Sequence, residues 1–112
     1  MLPSNAFELP EVESLEVKKH ALSEDYSPNN YSVLCGRGRE FFNAIGNRRF
    51  RVIVSIFLER YSKADTKSQK SQIVSDVVDM VRSSGGGFVK LEHGRWYEVG
   101  DSVARYVILF VF

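Results

Sequence analysis

The chain has 112 residues, 44% hydrophobic and 26% charged, with eight Phe, five Tyr and one Trp, a globular composition with room for one modest core. A single cysteine, Cys35, with two histidines, His20 and His93, excludes an internal disulfide and a zinc site read from Cys/His spacing. Net charge is +1, but residues 1–30 carry −4 and residues 37–70 carry +6, so an acidic leader precedes a basic module. The lone cysteine fits a reducing compartment, cytosol or nucleus. The N-terminus lacks the regions of a secretory signal, and no run approaches the roughly 18 to 20 apolar residues of a membrane helix.

The leader, with two prolines in its first ten residues and a Ser-Pro-Asn-Asn turn signal at its end, reads as a flexible arm with a short helix around residues 11–22. It is either a solvated tail or an arm that folds back over the basic module and competes with an anionic ligand. Tyr31–Cys35 is β-prone and stopped by Gly36, which predicts a strand entering Gly36-Arg37-Gly38-Arg39. Apolar residues at Phe50, Ile53, Val54, Phe57, Leu58 and Tyr61 then predict a helix over about residues 48–62, with Asn47 as its N-cap. Arg48, Arg49 and Arg51 fall in its first turn, where each opposes the helix dipole by roughly 0.3 to 1 kcal/mol, a cost a bound anion removes. Val52 and Ile56 lie off its main apolar face and mark a second buried contact or a dimer surface.

A second helix is expected over about residues 67–83, with Thr66 and Gln69 as a capping box, Ile73, Val74, Val77, Val78 and Val81 as its buried stripe, and a glycine of Gly85–Gly87 beyond its end. Residues 88–92 and 95–99 flank His93-Gly94 as a tight hairpin, and Asp101 caps a short helix through Arg105. The fold class is α+β: two amphipathic helices followed by a β-hairpin, with the early strand joining a small sheet. That order resembles a winged-helix arrangement, residues 88–99 being the wing. The division is an acidic arm over 1–30, one basic domain over 31–105, and an apolar tail over 106–112. The tail, Tyr106–Phe112, reads as a strand completing the core or as a shortened or altered C-terminus. Phe50, Ile53, Phe57, Val74, Val77, Val78 and Trp96 are the expected core.

Several spaced motifs together resemble a family. Val33-Leu-Cys-Gly-Arg-Gly38, Gly46-Asn47 followed by Arg49-Phe50-Arg51, Tyr61, the lysine-rich start of the second helix, Gly86-Gly87-Phe88, and Trp96 with Val99-Gly-Asp101 and Ala104-Arg105 are similar to a domain of unknown function abundant in diatom and related algal proteins. The resemblance covers about residues 31–105. The chain departs from the family pattern at Ala44-Ile45, where His-Pro is usual, and after Arg105, where a polar basic helix is usual. No activity is established for the family, so the resemblance bears on architecture.

Function is therefore read from side-chain chemistry. Gly36–Phe41 is not a GxGxxG loop, no phosphate-binding GxxxxGK[ST] occurs, and neither histidine has a nucleophile partner in reach of the pattern. Cys35 ends an apolar strand as an inert thiol, and Asp76 and Asp79 fit a solvated face. No enzyme, metal or cofactor is expected. The remaining signal is basic: the Gly36–Gly38 backbone with Arg37, Gly38, Arg39, Asn47, Arg48, Arg49 and Arg51 suits phosphate contacts, and Lys67 and Lys70 extend the stripe. Nucleic acid, DNA more than RNA, is the expected partner, in transcriptional or chromatin regulation in the nucleus or cytoplasm. The alternative is a module recognising acidic or phosphorylated protein segments. The bland alternative is a solvated face whose arginines pair with Glu40 and Glu59. Of Trp96 and Tyr97, one is expected in the core and the other is available for base stacking.

Overall fold

In the computed structural model, which describes residues 19–112, the β-prone runs on either side of His93-Gly94 fold into the expected hairpin of β3 (Phe88–Glu92) and β4 (Arg95–Val99). His93 takes φ 51° and Gly94 φ 78°, the two positive values of the turn whose twist matches the flanking strands. Two further strands extend the hairpin on its outer sides. β2 (Val33–Leu34) pairs parallel with β3, and β1 (Lys19–Ala21) pairs antiparallel with β4, giving a mixed sheet of order β1-β4-β3-β2. Lys19–Ala21 belongs to the expected arm, so that part is held in the sheet; residues 1–18, with most of the helix expected over 11–22, lie outside the described residues.

Four helices, α1 (Arg39–Asn43), α2 (Ile45–Lys63), α3 (Lys67–Ser83) and α4 (Asp101–Val111), complete an α+β domain. α3 occupies the expected span, and its Thr66–Gln69 capping box is formed in both directions. α2 begins earlier than expected. Its N-cap is Ala44, so Asn47 stands inside the first turn rather than at the cap. α1 carries no periodic signal over its five residues and was not expected.

The core lies between one sheet face and α2, α3 and α4. Val33 and Cys35 of the early strand, Phe50, Val54 and Phe57 of α2, the five-residue stripe of α3, Phe88 and Val99 of the hairpin, and Val103, Ala104, Val107 and Ile108 of α4 form one buried cluster. Phe50 and Phe88 meet edge to face at 5.9 Å. Ile53 packs at its margin. The strand expected over 106–112 is corrected: residues 101–111 are one helix, because Val103, Ala104, Val107 and Ile108 recur on a single face and are fully buried there. Phe112 stacks on Tyr61 at 4.3 Å, while Tyr106, Leu109 and Phe110 face outward.

Trp96 is also corrected. It alternates with Val99 and so occupies the opposite sheet face, half-buried between Tyr26 at 6.4 Å and Phe41 of α1 at 6.1 Å. α1 thus covers the far side of the sheet.

Candidate functional site

The basic segment is assembled around a buried backbone junction. Gly46 sits so close to β2 that a Cβ there would lie 1.7 Å from the Ser32 carbonyl oxygen. On the other side, a Cβ on Gly86 would lie 2.0 Å from the Tyr31 carbonyl carbon. The Tyr31-Ser32 backbone is therefore gripped between the start of α2 and the loop after α3. Asn47 completes the grip: its Oδ1 accepts from the Leu34 N–H at 2.7 Å and its Nδ2 donates to the Leu34 carbonyl at 3.0 Å. The side-chain amide pairs with the outer edge of β2 as another strand would. Asn47 is 3% exposed, and both its polar atoms are engaged, so it serves the fold and not a phosphate.

From that junction the arginines fan outward in two directions. Arg51 turns toward α1, where its Nη1 donates to the Phe42 carbonyl at 2.9 Å and its guanidinium lies 4.0 Å from the Phe42 ring centre. Arg39 is one helical turn before Phe42, and Arg48 one turn before Arg51. Arg39 and Phe42 therefore share one face of α1, and Arg48 and Arg51 one face of α2, with Arg37 two residues upstream of Arg39 in the loop. Burial, and then the positive charge of Arg48, lower the proton affinity of Arg51 below the usual arginine value. Arg49 points the other way, over the Tyr31 ring at 4.5 Å.

Among the described residues, none of these five arginines has a carboxylate partner. The ion pairs lie elsewhere: Lys19 and Lys90 with Glu92, Arg60 with Asp76, Lys63 with Glu59, and Arg82 with Asp101. The pairing of the arginines with Glu40 and Glu59 is not formed. Arg37, Arg39, Arg48 and Arg49 are exposed.

Lys67 and Lys70 do not join the cluster. They open α3, which follows the far end of α2, so about 22 Å of helical rise along α2 separates that end from Arg48. Lys70 lies 5.4 Å from the Tyr61 ring instead. The expected single stripe is two separate basic positions. The buttressing by Phe42 was not found in the sequence, because a five-residue helix leaves no periodic pattern. Cys35 is buried, and desolvation, opposed in part by Lys90, pushes its thiol up to about 12. No three His, Cys, Asp or Glu side chains among the described residues gather as metal ligands.

The motif residues now have structural roles. Arg105 donates to Ser75 Oγ at 2.7 Å and to Ser71 Oγ at 2.8 Å, tying α4 to α3, and Ala104 is fully buried. Gly46, Asn47 and Gly86 lock β2, and Phe88 and Val99 fill the core. The model of one family, Domain of unknown function (DUF6824), matches residues 32–108, a span from the gripped Ser32 to the last fully buried position of α4. The chain belongs to this family. No curated protein and no solved structure gives a match. The DUF6824 segment takes in Ser32, Gly46, Asn47 and Gly86 of the junction and all five arginines, so what it presents at its surface must be read from the geometry above.

Proposed function

We propose that this domain binds nucleic acid, DNA in preference to RNA, by contacting backbone phosphates through Arg37, Arg39, Arg48 and Arg49, as a binding module and not an enzyme. The observation that carries the reading is the exposed set Arg37, Arg39, Arg48 and Arg49 beside Arg51, which is anchored on Phe42, none of the five with a carboxylate partner among the described residues. Crowded like charges raise each other's energy, and a phosphate at the same place lowers it by charge-assisted bonds to the guanidinium forks. Arg51, anchored on Phe42, is the buttress, and the exposed arginines are the contacts. The role belongs to transcriptional or chromatin regulation in the nucleus or cytoplasm.

The test is fluorescence anisotropy of a labelled duplex with the full chain across salt concentrations. Four neutralised phosphates give a slope of log K against log salt near −3.6, and Arg39→Ala with Arg48→Ala shallows it by about 1.8 without lowering Tm. Competition by single-stranded RNA sets the preference. Absence of binding at low salt, or a double variant that binds like the parent, overturns the proposal. An acidic peptide that binds where duplex does not compete supports the acidic-segment reading in its place.

A further inference from the structure

The outer face of α2 carries a second pattern that the core does not use and that shares only Arg49 with the arginine surface. Ile45, Arg49, Val52, Ile56, Glu59 and Lys63 follow alternate steps of four and three residues, the seam of a helix that packs lengthwise on another helix. Ile45, Val52 and Ile56 are 50%, 59% and 67% exposed, although Phe50, Val54 and Phe57 bury the opposite face. A mean helix–helix contact places such side chains inside, yet no described residue covers them.

We propose that this seam is a homodimer interface in which α2 packs antiparallel against α2 of a second copy of this chain. The charge order along the seam selects both occupant and direction. Turned upon itself about a two-fold axis beside residue 54, the seam sets Val52 against Ile56 of the second copy and Ile56 against its Val52. The same operation sets Arg49 opposite Glu59 and lays Ile45 along the aliphatic stem of Lys63. A parallel pairing in register puts Arg49 on Arg49 and Glu59 on Glu59, which like-charge repulsion disfavours. Glu59 already holds Lys63 at 2.7 Å within the helix, so in the dimer it bridges two cations, one from each copy. The interface is isologous and closes at two copies. A single helix face falls at the low end of interface sizes, so the dimer is expected to be weak and concentration-dependent.

The proposal shares Arg49 with the nucleic-acid reading, but its test contains no nucleic acid, so either can fail without the other. Sedimentation equilibrium of the full chain over about 1 to 300 µM is expected to move the mass from 12.8 kDa toward twice that value. Glu59→Arg weakens association at least about tenfold, and adding Arg49→Glu restores it to within about threefold, a rescue that only the antiparallel register gives. Val52→Asp removes the dimer and leaves Tm unchanged, since Val52 is exposed and outside the core cluster. Cysteine substitutions provide a second readout. A mixture of Arg49→Cys and Glu59→Cys chains forms the mixed disulfide in preference to either symmetric one, while the native Cys35 stays buried. A chain that remains monomeric at the highest concentration overturns the proposal. So does a dimer indifferent to Glu59→Arg and Val52→Asp, which would place the contact on another face, such as Tyr106, Leu109 and Phe110 of α4.

Discussion

Replacing Gly46 by alanine tests the backbone junction directly, because two effects of opposite sign meet at one atom. A glycine inside a helix costs about 1 kcal/mol relative to alanine, so propensity alone predicts that Gly46→Ala stabilises the protein. The structure predicts the reverse. The new Cβ would stand 1.7 Å from the Ser32 oxygen and 2.7 Å from its carbonyl carbon, both backbone atoms that no side-chain rotation can move. α2 and β2 must part by about 1.5 Å, an overpacking strain of about 1 to 3 kcal/mol. The same movement stretches the two Asn47 bonds to Leu34, and each buried group left unpaired costs about 1 to 3 kcal/mol. Relaxation shares these losses, so the net destabilisation is about 2 to 5 kcal/mol out of the roughly 5 to 15 that a domain possesses. Urea unfolding followed by the fluorescence of Trp96, the sole tryptophan, reads the change from the midpoint at fixed m. Ser62→Ala, on the exposed side of the same helix, serves as the propensity control. Gly86→Ala should act in the same direction, and because both substitutions press on Tyr31-Ser32, the pair should destabilise by less than the sum. A Gly46→Ala midpoint equal to or above the parent refutes the contact.

Three further outcomes follow from individual side chains. Asn47→Ala should lower stability by about 2 to 4 kcal/mol through the orphaned Leu34 N–H and carbonyl, whereas a variant that keeps its Tm and loses only duplex affinity would restore Asn47 as a phosphate contact. Hydrogen bonds from Lys19 and then Lys90 hold Glu92 down to about 2, below its ordinary 4.5, so its contribution to stability is present above about 4.5 and is lost as pH falls through 2. Urea midpoints of the parent and Glu92→Gln should therefore differ at pH 6 and converge toward pH 2; a gap that does not narrow contradicts the pairing. Cys35, pushed by burial from 9.0 to about 12, stabilises the fold below pH 9 and loses that contribution as pH rises toward 12. At pH 8 a thiol reagent should label it no faster than the protein unfolds, and immediate labelling of the folded protein would show the thiol to be open.

What could be read in the sequence was what depends on short-range pattern. α3 was legible in full because its stripe, its capping box and its terminating glycine all report on the same seventeen residues. The hairpin was legible because His93-Gly94 separates two β-prone runs by two residues. Where a residue serves a distant part of the chain, local pattern misleads. Asn47 has the chemistry of an N-cap, but the polar groups it satisfies belong to Leu34 across the junction, and nothing near position 47 shows that. Trp96 was expected in the core because it and Tyr97 alternate across one strand, while its register with Leu91 sends it to the other face of the sheet. Residues 106–112 looked strand-like because an apolar helix with only two outward turns shows no polar side. The arginines were visible as a cluster, but composition could not separate Arg51, which braces Phe42, from Arg48, which faces solvent, or detach Lys67 and Lys70.

The glycine and asparagine positions and the arginines are two halves of one arrangement. Close approach at Gly46 brings the first turn of α2 against β2, and that closeness fixes where Arg48, Arg49 and Arg51 leave the helix. The neighbouring guanidinium groups of Arg48 and Arg51 repel, so a loosely held segment would spread them apart. Here the Tyr31-Ser32 grip and the Phe42 contact hold Arg48 and Arg51, and the proton affinity of Arg51 is lowered first by burial and then by the charge of Arg48. The stability of the junction therefore sets the charge density of the surface. Weakening the junction should disperse the arginines before it unfolds the domain, so a partly destabilised Gly86→Ala chain at low temperature should lose anion affinity while Trp96 still reports a folded sheet.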